Sequence, residues 1–398
     1  MTLLARLFGE GFRIFFLAAG LYAIFTLIVW EGWLGIHALG GMVTATPFAP
    51  TPHAWHAHEM IFGFAGAALG GFFLTAVPNW TGAPAARHMF IALVAALWLA
   101  GRLAIWFSAS LPPVLVAAAA LSFLPVLAAQ IAVQLVRRPK PQNIMFLGIL
   151  AIIWLADLLV QADWMGFGWG DQARGLRAGL FGVVALIAVL GGRITPAFTR
   201  NAMQRAGRHT GLPEARKPVE LATMVGAIAL PLAVLADAPE ALSGAVALVA
   251  GSGALVRLSL WRPGWTLPYP ILWAMHVAYG ALGLGYVLGG LAAFGYGSEI
   301  AALHVLGIGA AGGMILAVMS RASLGHSGRP LIAPASLAWG YGLVAAAAAL
   351  RWIGSTEIEL YYPAVLASGA LWILAFTLFL AAFLPILLGP RLPRPGET

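Results

Sequence analysis

Apolar residues run through this chain in long unbroken stretches, with no period-two alternation. Reading those stretches against Gly, Pro and charged breakers predicts twelve spans. They cover about 13–34, 52–77, 88–107, 111–136, 143–162, 173–191, 219–236, 239–260, 269–292, 299–320, 334–353 and 361–388. Each approaches the roughly 20 apolar residues that a helix needs to cross a bilayer. Without alternation a transmembrane barrel is excluded. The expected fold is therefore an all-α membrane protein of about twelve transmembrane helices. The turns Ser108–Ser110 and Asp237–Pro239 are very short, so the helices they join are the ones most easily miscounted.

Composition supports this reading. Of 398 residues, 61% are hydrophobic and 9% charged. A water-facing surface carries roughly 25% charged residues, so most of this surface faces lipid, where backbone polar groups must be satisfied within helices. Charge position adds an orientation. With both termini cytoplasmic, all but Arg102, Arg174, Arg177 and Arg351 of the 22 lysines and arginines fall at cytoplasmic ends, as positive-inside topology requires. That assigns the net charge of +8 to topology and not to nucleic acid. The first apolar run lacks a cleavage site and reads as a retained span. Residues 1–191 form the first six helices, 192–217 a basic cytoplasmic loop, and 218–398 the last six, within one polytopic domain.

The absence of cysteine excludes disulfides, iron–sulfur clusters and thiolate metal sites. Histidine, Met, carboxylates and backbone remain as ligands. Ionisable residues within spans are costly and mark functional candidates. The run Thr51-Pro-His-Ala-Trp-His-Ala-His-Glu-Met60 opens the second span. With Thr51 as N-cap and Pro52 at the first helical position, His53, His56 and Met60 share one face. His58 points nearly opposite, and Glu59 lies at the margin. Imidazole suits copper, zinc and iron; the alternative is interfacial histidines facing headgroups. His276 and His304 lie in the ninth and tenth spans, His304 near the level of His56 and His58 and His276 deeper. A buried histidine bonded to a neighbouring hydroxyl or carbonyl is the alternative for each. At the inner ends, Arg193 and Arg321 suit carboxylates, or serve topology alone. Arg102 and Asp157 fall at similar depth and are expected to pair.

The segments HAWHAHEMIFGF, GFFLTAVPNWTG, GGRITPAFTRN and LHVLGIGAAGGMILAVMSRASLGHSGRP resemble the NnrS family of bacterial membrane proteins. The resemblance extends over nearly the whole chain; Ser327 stands where the family pattern suggests Thr. It implies a twelve-helix inner-membrane protein that binds haem and copper and serves nitric oxide metabolism and protection from nitrosative stress. The match covers His53, His56, His58, Glu59, His304, Arg193, Arg321 and His326, while His276 rests on its depth. On this expectation haem iron sits on His58 or His304, with Arg193 or Arg321 at its propionates. Copper sits on His53, His56 and, if a helix is broken, His276. Glu59 is the proton carrier for reductive coupling of nitric oxide, with a quinol or redox protein as electron donor. No CxxCH motif is present, so the haem is non-covalent, of b type. Two other functions fit the sequence: a protein that sequesters nitric oxide or iron without turnover, and a twelve-helix secondary transporter.

Overall fold

The computed structural model describes residues 2–137 and 141–393. Among these the secondary structure is helical, with no strand. Twelve helices are long and apolar enough to cross a membrane. They are α1 Gly11–Ala38, α2 Pro52–Thr81, α3 Met89–Trp106, α4 Pro113–Arg137, α5 Pro141–Trp164 and α6 Gln172–Arg205. Then follow α7 Lys217–Leu235, α8 Glu240–Ser259, α9 Pro270–Ala293, α10 Glu299–His326, α11 Ala335–Thr356 and α12 Tyr361–Leu388. This is the make-up of a multi-pass membrane protein, and each expected span has its helix. Arg138, Lys140 and Arg394, counted above as cytoplasmic, lie outside the described residues.

One boundary differs clearly. The loop expected over 192–217 is helical as far as Arg205 and irregular only over 206–216. Pro196 lies inside α6 and cannot donate to the Gly192 carbonyl one turn earlier. The helix nevertheless continues, because Arg257 Nη2 of α8 donates to that carbonyl at 2.9 Å. The absent side chain of Gly192 leaves room for the guanidinium, since a Cβ there would meet Nη2 at 2.5 Å.

The chain folds as two compact units whose limits depart from a division at 192–217. Unit 1 comprises Met1–Gly179, Arg321–Pro330 and Phe376–Thr398; unit 2 comprises Leu180–Ser320 and Leu331–Ala375. In unit 1, α1 and α2 approach closely at Gly71, where a Cβ would meet the Phe16 ring at 2.6 Å. The two ends of the chain also meet in this unit. Arg13 is buried and donates to the carbonyls of Leu387 and Gly389, each at 2.8 Å, and of Ile386 at 3.3 Å. In unit 2, α8 and α9 cross at Gly251, whose Cβ would lie 2.7 Å from the Gly283 carbonyl. Small residues at such crossings let membrane helices pack by van der Waals contact.

Two helices are irregular in the same way. α2 makes a π-helical turn over Glu59–Phe64, and α10 makes another over Val305–Gly312. Each begins immediately after a histidine, His58 or His304. Both helices are N-capped as expected for membrane entry: Thr51 Oγ1 accepts from Ala54 N at 3.4 Å, and Ser298 Oγ from Ala301 N at 3.2 Å.

Candidate functional site

In unit 1 the histidine run divides as its helical spacing requires. His53 and His56 face α1: His53 meets Trp30 edge-on at 5.0 Å between ring centroids and Trp33 at 4.9 Å, while His56 stacks on Trp30 at 4.6 Å. Met60 continues this face, its sulfur accepting from Thr26 Oγ1 at 3.2 Å. His37, which the sequence reading passed over, lies against Trp33 at 4.4 Å. Its signal was available, since it sits one turn from Trp33 near the end of a largely apolar helix.

His58 points the other way and is fully buried. Its Nδ1 lies 2.7 Å from Glu59 Oε1, and its Nε2 lies 3.0 Å from Asp157 Oδ1 and 3.1 Å from the Gln161 amide. Arg102 Nη1 donates to Glu59 Oε1 at 2.6 Å, and the Tyr22 hydroxyl donates to Glu59 Oε2. Arg102 and Asp157 thus belong to one network but do not pair directly as expected: Glu59 takes the guanidinium and His58 takes Asp157. The π-turn accounts for the change, because it brings Glu59 between α1 and α3. Gly63 within that turn leaves space for Tyr22 and Arg102; a Cβ there would meet the Tyr22 ring at 2.5 Å and the Arg102 stem at 3.2 Å. The Gly63 carbonyl in the same turn accepts from Trp98 Nε1 at 2.9 Å.

In unit 2, His304 Nδ1 donates to the Ile300 carbonyl at 2.7 Å. That bond fixes the tautomer and leaves the Nε2 lone pair for a ligand, the arrangement typical of metal-binding histidine. One turn further on, a Cβ at Gly307 would meet nothing within 4 Å. His276 sits elsewhere. Its Nδ1 donates to the Leu272 carbonyl at 3.0 Å, and its Nε2 lies 3.5 Å from Thr199 Oγ1. Gly285 packs on Leu306 and Gly289 on Ala302, so His304 is level with residue 287 of α9. His276 is roughly 16 Å away along the helices by their rise, and the two cannot share one ion. Arg193 is likewise distant. Its neighbour Gly191 packs against Met314, roughly 15 Å along α10 from His304. Arg321 lies roughly five turns beyond His304 on the same helix. His326 at the end of α10 packs its ring on Phe12 at 5.8 Å.

Among the described residues no three His, Asp or Glu side chains are grouped to hold a metal ion. Taken singly, the residues differ in their fit to haem and copper. His58 does not fit as a haem ligand, since both ring nitrogens are engaged. His304 fits, with Nδ1 tied to Ile300 and open space at Gly307. His53 and His56, with Met60 on their face, have the nitrogen and thioether chemistry that copper accepts.

The fold and these histidine-bearing, π-turned helices define a class: an all-helical multi-pass membrane protein with ligand-competent imidazole inside its spans. A family model described as NnrS protein matches residues 6–391, and the chain belongs to that family. A comparison with curated proteins returned no match.

Proposed function

We propose that this protein binds haem and copper in a bacterial inner membrane and acts on nitric oxide, protecting the cell from nitrosative stress. Membership of the NnrS family supports the reading. The observation that carries it is His304, an imidazole within a span whose Nδ1 is tied to the Ile300 carbonyl, with open space at Gly307 one turn further on. Haem, when bound, would supply affinity for nitric oxide. His304 would hold that cofactor, with Gly307 leaving space beside it. His53 and His56 would hold copper beside Trp30. Reductive coupling would consume two nitric oxide molecules, two electrons and two protons to give nitrous oxide and water. The electrons would come from a quinol or redox protein.

A second reading, capture without turnover, is favoured by one observation. Glu59, the expected proton carrier, is clasped by Tyr22, Arg102 and His58 and fully buried. Both its oxygens are engaged, which does not suit a carboxylate that must pass protons on.

Purified protein in detergent separates the readings. A Soret band that shifts on adding nitric oxide, with iron and copper near stoichiometric, supports the cofactor assignment. Steady nitrous oxide release with a reductant supports turnover, and binding without product supports capture. A colourless, metal-free preparation that remains so with added hemin and copper would sink both and favour a carrier.

A further inference from the structure

The geometry points to Arg351 as the residue that holds the carboxylate of a flat metal chelate bound at His304, making His304 and Arg351 one ligand site in unit 2. This rests on the haem reading above and names a residue for it that the sequence reading did not consider.

Register places the two residues together. Gly309 of α10 approaches Ala348 of α11, its Cβ falling 3.3 Å from that of Ala348, and Gly313 lies 3.9 Å from Val344. Antiparallel register then sets Arg351 level with Leu306, about half a turn from His304. Val344, Ala348 and Arg351 recur at helical spacing, so Arg351 is on the face of α11 turned toward α10. The π-turn brings His304 to that meeting. In a regular helix His304 would lie about 140° around from Gly309, five residues on. The five-residue hydrogen-bond step of a π-turn brings such positions close to alignment. Arg351 is within electrostatic reach of His304.

Chemistry then sets the ligand class. Arg351 is buried, at 8% exposure, and donates to Ser355 one turn along. It is also among the four basic residues that break the positive-inside pattern, so membrane topology does not account for it. A buried guanidinium beside a lone-pair-bearing imidazole suits a ligand with a Lewis-acidic centre and a peripheral carboxylate. The nitrogen serves the metal, and the fork serves the carboxylate. Beside His304, Gly307 opens onto free space and leaves room for a flat body. Arg193 is a poorer candidate for the carboxylate, since it lies roughly 15 Å from His304 along the helices.

The test is hemin titration of the full-length protein in detergent, following the Soret band and the reduction potential of the bound iron. Arg351→Gln is expected to weaken hemin binding about tenfold or more, the loss of a charge-assisted hydrogen bond, and to move the potential negative. Arg351→Lys should keep the potential near wild type while recovering only part of the affinity. His304→Gln should abolish the wild-type Soret position. Retention on size exclusion and an unchanged melting temperature identify variants that remain folded; Arg351→Lys, which keeps charge and length, serves if Arg351→Gln does not. Wild-type affinity and potential in folded Arg351 variants would overturn this assignment alone. So would affinity that falls with Arg193→Gln but not with Arg351→Gln. A wild type that takes up no hemin would overturn the haem reading as well.

Discussion

The two π-turned helices use one device for opposite ends. In α2 the residue before the turn, His58, has both ring nitrogens taken by carboxylates and an amide, and every ionic partner is buried with it. In α10 the corresponding residue, His304, has one nitrogen tied to its own helix and one left over. A π-turn forfeits regular helical pairing, so it persists where something repays the cost. At α2 the repayment is a closed, buried hydrogen-bonded network. At α10 the imidazole is tied to its own helix through the Ile300 carbonyl, without a carboxylate network like that at α2 among the described residues. A histidine inside a membrane helix is thus no guide to ligation by itself; the occupancy of its second nitrogen is.

The contrast can be broken most severely at Arg102. Arg102→Leu leaves Glu59 buried beside Asp157 without its cation and is expected to destabilise unit 1 by about 3–5 kcal/mol. Thermal unfolding in detergent would read this directly, and a melting curve close to wild type would show the network to be loosely held. His58→Ala comes next. It strips a donor from each of two buried carboxylates and should cost about 2–3 kcal/mol, against about 1 kcal/mol or less for His304→Ala. Equal losses would remove the distinction between closed and open sites. The caps provide a calibration: Thr51→Ala and Ser298→Ala should each cost about 1 kcal/mol, whichever site follows. The smallest stability effect is expected at Gly307. Gly307→Leu enters open space and should leave stability within about 0.5 kcal/mol of wild type, while lowering hemin uptake. If stability falls and uptake holds, the open face is not a ligand cradle.

Much of the architecture was legible in the chain. Long apolar runs marked the twelve helices because lipid leaves no other way to satisfy their backbone. Even the narrow turns at Ser108–Ser110 and Asp237–Pro239 separate real helices, α3 from α4 and α7 from α8. The division of His53 and His56 from His58 also followed from spacing. The length of α6 was hidden, because Pro196 reads as a breaker until Arg257 is seen on the orphaned carbonyl. The π-turns were hidden too: nothing in EMIFGF or VLGIGAAG announces an extra residue per turn, and the misassigned partner of Arg102 follows from that. Arg351 was hidden in plain view. Of the four basic residues off the topological pattern, Arg174 lies beside Asp171, whereas Arg102 and Arg351 are buried.

The bonds from Arg13 to the last turn of α12 have a consequence for how the protein is made. A ribosome delivers α1 well before α12, so this joint closes only once α12 has been made. Until then Arg13 stands without the carbonyls that receive it, while unit 2 is synthesised between the two. The nascent chain must therefore hold α1 in an unfinished state while the intervening helices are made.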